Sequence, residues 1–248
     1  MDKTQILQYL KSIALFKEIE VDQLEKIFAD ARPKSFQQDE ILFYQEDSAD
    51  EFYVLVEGRI KLSQLTPEGD AVTLHYLSPG EAFGIIAVLR EIKFPITAQA
   101  IEESQCIVWS EEMIKKWIIN YPQIAINSIR ILSNFILNFQ DRIRELSTEK
   151  VERRIARSLL RLAMQSGKQT EAGISLGFKL TRQDIANMAG TTLYTVSRTL
   201  SKWENEGLVD CQHKAITLTE PQAITEIAED TYEVREDDLR RNLLGPAE

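Results

Sequence analysis

Residues 180–209, LTRQDIANMAGTTLYTVSRTLSKWENEGLV, read as two helices joined by a tight turn. Thr181 stands where a helix N-cap is needed, with Asp184 three residues on to return the hydrogen bond, a variant of the capping box. Leu180 and Ile185 stand where a hydrophobic staple closes. Ala186, Gly190 and Val196 supply what two crossing helices require: a small residue at close approach, a turn residue free to take positive φ, and an apolar contact. Thr192 caps the second helix, and the spacing of Val196, Leu200 and Trp203 marks its buried face. The other faces carry Leu193, Tyr194, Thr195, Ser197, Arg198 and Lys202. Such a helix can enter the DNA major groove, where Arg198 presents forked donors to guanine and Tyr194 and Thr195 reach base edges or phosphates. The N-terminus of the helix itself favours a phosphate.

Downstream, the second helix ends at Gly207, and LVDCQHKAITLT reads as two short strands around Gln212 to Lys214, the wing of a winged helix. His213 and Lys214 are placed there to touch backbone phosphates. Upstream, VERRIARSLLRLAMQSG is a basic helix whose Ile155, Leu159, Leu162 and Ala163 face inward and which stops at Gly167. The net charge of -10 argues by itself against a polyanionic partner. Its distribution reverses that: Lys150 to Lys214 holds eleven basic residues against six acidic ones, while acidity gathers in the first part of the chain and in the tail after Glu220. There it either confines DNA contact to one face or simply solvates the surface. Single exposed residues, Lys202 and His213 above all, are also what an ordinary helix surface carries.

Between the two halves, Glu111 to Tyr121 reads as a short helix and Pro122 opens a long one, Pro being well tolerated in a first helical turn. Along it, Ile129, Leu132, Ile136, Phe139, Ile143 and Leu146 alternate spacings of three and four, an a/d seam that asks for a second helix. The seam fits a homodimer; a single apolar face can also serve the chain's own core. A break follows near Ser147 to Lys150.

Before Pro122 the texture changes again. Thr4 to Ala31 shows helical periodicity in ILQYLKSI and VDQLEKIFADA, and from Pro33 to about Ser110 short β-branched and aromatic runs alternate with turn signals such as PEGD at 67–70. Closely spaced short strands indicate a small antiparallel barrel or jelly roll. No apolar stretch approaches the roughly 20 residues of a membrane span, and the charged N-terminus is unlike a signal peptide, so a cytoplasmic protein without membrane partners is expected. Cys106 and Cys211 lie far apart without any CxxC, which suggests reduced thiols. Cys106 sits in CIVW with no neighbouring Lys or Arg, the setting of a structural thiol rather than a redox sensor.

The order of barrel, long helix and helix-turn-helix resembles the family of the cyclic-AMP receptor protein and the fumarate and nitrate reduction regulator, from LFKEIEVDQLEKIF (15–28) through EGRIKLSQLTPEGDAVTLHYLSPGEAFG (57–84) to the wing. The resemblance implies an α+β chain with an N-terminal jelly roll like a cyclic-nucleotide-binding domain. The expected divisions are a sensor over 1–121, a dimerisation helix and hinge over 122–149, a winged helix-turn-helix over 150–219 and an acidic extension over 220–248. It further implies a homodimeric transcription regulator on a palindromic promoter site in double-stranded DNA, contacting RNA polymerase. Carried onto this chain, Arg182 and Gln183 meet phosphate, Thr192, Tyr194, Thr195, Ser197 and Arg198 lie on the recognition helix, and Lys202 and Lys214 add charge. Arg198 matches the family in residue type and role. Tyr194 stands where the family usually places a Glu that accepts from cytosine N4, so the common half-site is not assumed.

The effector positions diverge more. Cyclic-nucleotide members hold ribose and phosphate with Gly-Glu-Leu and, further on, Arg-Ser-Ala; here those places read Gly84, Ile85, Ile86 and Ile96, Thr97, Ala98. On the long helix, Phe139 and Gln140 stand where the base would be met. Without the carboxylate and the guanidinium, a buried cyclic phosphate is uncompensated, and no response to cyclic AMP is expected. The four-cysteine iron-sulfur cluster of the oxygen-sensing branch is excluded by two cysteines. Haem ligation would fall to His75, the one imidazole in the sensor part, although a lone strand His is more often a hydrogen-bonded surface residue. The expected signal is a gas, a redox change or an apolar small molecule. Two other classes remain: a cupin-like enzyme, which lacks the His cluster it needs, and a nucleotide-binding regulatory protein acting through protein contacts.

Overall fold

The alternation of apolar runs and turn residues before Ser110 folds as two antiparallel four-stranded sheets, seen in a computed structural model that describes residues 3–178, 180–211 and 215–229. The strands are β1 (Arg32–Phe36), β2 (Ile41–Phe43), β3 (Glu51–Glu57), β4 (Ile60–Leu65), β5 (Ala71–Leu77), β6 (Ala82–Phe83), β7 (Thr97–Ala100) and β8 (Ser104–Ser110). Their orders, β1-β8-β3-β6 and β2-β7-β4-β5, are those of a jelly roll. At the β3–β4 turn Gly58 takes φ +89, and a Cβ there would lie 2.3 Å from Ser104 Oγ, so only glycine fits.

Helices α1 (Lys3–Ser12) and α2 (Val21–Ala29), with a 3-10 turn at Ala14–Phe16 between them, precede the strands. Helix α4 (Glu111–Asn120) follows β8. The sheet and these helices share one aromatic core. Trp109 of β8 stacks on Phe52 at 5.4 Å, meets Trp117 of α4 edge-on at 5.4 Å and Phe16 at 5.8 Å. Its indole N–H donates to Ile27 O at 2.9 Å, so burial costs no hydrogen bond. Trp109→Ala is therefore expected to destabilise this unit by about 3–5 kcal/mol, read by chemical denaturation.

Two elements of this unit were not foreseen. Helix α3 (Ile85–Arg90) grows out of Gly84, which sits in the left-handed region as its N-cap. Its six residues, IIAVLR, form a run too short for helical periodicity to separate from a strand. Strand β1, RPKSF, shows one buried residue, Phe36, and owes its conformation to pairing with β8 from Arg32↔Val108 to Phe36↔Ser104.

The chain divides into two compact units at Gln140/Asp141, within the long helix α5 (Pro122–Thr148), and not at either end of it. From Asp141 onward the described elements are the end of α5, α6 (Val151–Ser166), β9 (Lys168–Thr170), β10 (Gly173–Ser175), α7 (Arg182–Ala189), α8 (Leu193–Asn205), β11 (Val209–Asp210), β12 (Thr217–Leu218) and α9 (Pro221–Glu229). The wing strands β11 and β12 extend into a sheet of order β11-β12-β10-β9. The expected acidic extension begins as structure: α9 packs on α6, with Ile224 and Ala228 buried. No helix among the described residues is long and apolar enough to cross a membrane.

Candidate nucleic-acid interface

The helix-turn-helix is built by the capping chemistry its sequence carries. Asp184 N–H donates to Thr181 Oγ1 at 3.1 Å and Thr181 N–H donates to Asp184 Oδ2 at 3.0 Å, a complete capping box that starts α7. Gly190 ends α7 at φ +58, and a Cβ there would come within 2.3 Å of Leu146 Cδ2. Thr195 N–H donates to Thr192 Oγ1 at 3.2 Å and starts α8. Ala186, Val196, Leu200 and Trp203 are fully buried, which fixes the opposite face of α8 outward.

On that outward face Tyr194 and Arg198 are both exposed, Ser197 is half-buried, and the Arg198 guanidinium carbon lies 5.9 Å from the Tyr194 ring centroid. Arg182 and Gln183 are exposed at the start of α7, Gln183 donating to Asn187 Oδ1 at 3.0 Å. The Thr192 and Thr195 hydroxyls lie 3.0 Å apart and serve the cap, which leaves Thr195 less free for a base edge than its position implies. Lys202 also has a partner within its own unit. Its ammonium lies 2.9 Å from Glu152 Oε1, which also accepts from Trp203 Nε1 at 3.2 Å, so a phosphate competes with this carboxylate for it. Lys214 and His213, expected on the wing, lie outside the described residues, as does Lys179.

The Glu152 contacts have a consequence for acid stability. Hydrogen bonding from Lys202, first among the causes, holds the Glu152 carboxyl below its ordinary 4.5, with burial opposing. A depressed folded-state value stabilises the fold above 4.5, and that contribution is lost as pH falls through the folded value. Glu152→Gln is expected to lower stability at neutral pH and to converge with wild type in acid, measured as denaturation midpoints across pH.

Much of the basic character of α6 is turned inward. Arg154 donates to Ala189 O at 2.8 Å and Gly190 O at 3.1 Å, satisfying carbonyls at the end of α7, and to Glu149 O at 2.7 Å just past α5. Arg161 grips Glu145, 4% exposed, through both carboxylate oxygens at 2.7 and 2.9 Å. Arg157 Nε donates to Glu149 Oε2 at 3.0 Å. Arg142, whose guanidinium is pushed down to about 10 by burial and then by Arg161, remains charged at neutral pH and donates to Met188 O. Arg142 and Arg154 thus brace the end of α7, and Arg157 and Arg161 tie α6 to the end of α5. Sequence spacing missed this, because α6 and α7 meet only in the folded unit.

The α5 seam is open along most of its length. Ile129, Ile136, Phe139 and Ile143 are 62%, 56%, 59% and 51% exposed. Phe135 and Leu137, not foreseen, widen the apolar surface. Leu132 is half-buried, and Leu146 reaches over Gly190.

Among the effector positions, Gly84 and Ile85 join the barrel core: a Cβ on Gly84 would lie 3.3 Å from the Phe94 ring, and Phe94 stacks on Phe43 at 3.8 Å. Ile96 packs on that core, while Thr97 Oγ1 accepts from Gln45 N–H at 2.9 Å. Ile86 is exposed, and Phe139 and Gln140 lie exposed on α5 rather than in the core. The buried guanidinium of this unit, Arg59, sits at the β3–β4 turn, donating to Ser78 Oγ at 3.3 Å with Glu102 at 3.9 Å. His75 Nε2 lies 3.3 Å from Glu81 Oε1. Burial pushes the Cys106 thiol up to about 12; burial and then Glu204 push Cys211 up to about 11. No group of three or more His, Cys, Asp or Glu side chains among the described residues is arranged to hold a metal ion.

Comparison with known proteins follows these two units. Residues 33–121 match the cyclic nucleotide-binding domain and residues 153–227 match the Crp-like helix-turn-helix domain. The chain is 21% identical over 217 residues to the CRP-like cAMP-activated global transcriptional regulator of Mycobacterium tuberculosis, covering 88% of this chain and 97% of that protein. It is 28% identical over 211 residues to the fumarate and nitrate reduction regulatory protein of Yersinia pestis, covering 85% and 83%. A solved CRP-family transcriptional regulator from Thermus thermophilus shares the fold, with a TM-score of 0.68 at 24% identity over 81% of this chain and 98% of that one.

Proposed function

From a chain that belongs to the CRP/FNR family of transcription regulators, with its helix-turn-helix for DNA, we propose a homodimer that binds a palindromic promoter site and does not take cyclic AMP as its signal. The observation that carries the reading is the face of α8, where Arg198 and Tyr194 stand exposed opposite a fully buried Val196, Leu200 and Trp203. In this reading α8 of each protomer enters a major groove, Arg198 forks onto guanine, and Arg182, Gln183 and the α8 N-terminus meet phosphates. The protein acts in the cytoplasm, and contact with RNA polymerase is carried over from the family.

The exposed Ile129, Ile136, Phe139 and Ile143 support the dimer, because helices on a two-fold axis bury such a stripe against its own copy. The absence of a cyclic-AMP response rests on Ile85 and Ile96, which stand on the barrel core where the family places a carboxylate and a guanidinium and leave a cyclic phosphate without its cation. A gas or apolar molecule as the signal needs neither of those charged groups. Redox sensing through Cys106 or Cys211 is disfavoured, since both thiols hold their protons at neutral pH.

Selection of the purified protein on random duplexes tests the reading. The expected result is enrichment of a two-fold symmetric sequence, bound by two chains at about 10 nM or tighter and weakened steeply by salt. Absence of any enriched sequence overturns the DNA reading, and a micromolar or tighter dissociation constant for cyclic AMP overturns the argument about its signal.

A further inference from the structure

We propose that Tyr194 is a base-reading residue, its ring laid on the 5-methyl group of a thymine one or two base pairs from the guanine read by Arg198. The inference rests on the major-groove reading of α8 and adds the chemistry at a second base. Tyr194 is 73% exposed in the first turn of α8, the part of a recognition helix that contacts base edges. It stands one turn before Arg198, about 6 Å along the helix axis, and base pairs stack at about 3.4 Å, so the two side chains address positions one to two base pairs apart.

The pair is geometrically linked. The Arg198 guanidinium carbon lies 5.9 Å from the Tyr194 ring centroid, within reach of cation–π attraction, so each side chain limits where the other points. A carboxylate in the place of Tyr194 would accept from cytosine N4; an aromatic ring cannot. Its complement in the major groove is the thymine methyl, the one apolar group that base edges display there. An exposed ring in water gains by covering that methyl, which gives thymine an advantage over cytosine without any charge at this position.

The test uses the full-length protein and the duplex that it enriches from random sequence. Arg198→Ala first identifies the guanine, as the position whose preference is lost. Uracil then replaces the thymine one or two base pairs from it in both half-sites, deleting nothing but the methyl. Wild type is expected to bind the uracil duplex about four-fold more weakly per half-site, the effect of one buried carbon. Tyr194→Phe is expected to keep that penalty and Tyr194→Ala to lose it. Tyr194 faces solvent, so both variants are expected to melt as wild type does.

Equal binding of thymine and uracil duplexes by wild type, or an undiminished penalty in Tyr194→Ala, overturns the proposal while leaving DNA recognition by Arg198 intact. Loss of affinity in Tyr194→Phe equal to that in Tyr194→Ala also overturns it, since the phenol hydroxyl and not the ring face would then carry the contact. If no sequence is enriched at all, the reading of α8 falls together with this proposal.

Discussion

Arg198→Ala is expected to remove sequence-selective DNA binding while leaving the fold and general DNA affinity nearly as they were. A bidentate arginine–guanine contact is worth about 1–3 kcal/mol of discrimination, and a two-fold dimer makes it twice, so affinity for the enriched duplex should fall between about 30-fold and 25,000-fold. The side chain is exposed and its described neighbour is the Tyr194 ring, so thermal melting should not move measurably. Arg198→Lys separates charge from geometry: it keeps the attraction to phosphate but has no fork for two guanine acceptors. It should bind unrelated duplex about as well as wild type does and still lack the selectivity. Gel shift on matched and scrambled duplexes reads both, and a selectivity ratio unchanged in Arg198→Ala would contradict the assignment.

The second large effect is expected from charging the α5 stripe. Ile136 and Phe139 are each more than half exposed in the single chain, and in a two-fold interface each is buried twice. Losing the burial of one such side chain removes about 1.5–3 kcal/mol per copy, so Ile136→Asp or Phe139→Asp alone should raise the dimer dissociation constant by about 150-fold to 25,000-fold. The double variant should be monomeric by sedimentation at micromolar concentration and should bind one half-site with the weak affinity of a single helix-turn-helix. Each side chain already faces water in the lone chain, so the fold of the protomer should persist. A fully dimeric double variant would place the interface elsewhere.

Most of the recognition element was legible from residue spacing because its determinants are local. The Thr181–Asp184 capping box, the left-handed Gly190 and the Thr192 cap each join groups at most four residues apart, and each is present in the structure. The buried trio Val196, Leu200 and Trp203 follows from helical periodicity alone. The sheet of the sensor was legible as a class, while β1 and α3 were not, since Arg32–Phe36 takes its register from β8 and IIAVLR is shorter than the period that would identify it.

The role of each basic residue was the least legible part of the site. Counted along the chain, Arg154, Arg157, Arg161 and Lys202 belong to one positive segment facing DNA. In the folded unit Arg154 closes the carbonyl end of α7, Arg157 and Arg161 hold Glu149 and Glu145, and Lys202 is paired with Glu152. What the amino-acid sequence determines by itself is therefore the helix-turn-helix and its outward Arg198, because capping and periodicity act within a few residues. Which of the surrounding charges remain for phosphate is decided by tertiary structure alone, because a guanidinium's partner across helices is set by packing and not by its distance along the chain.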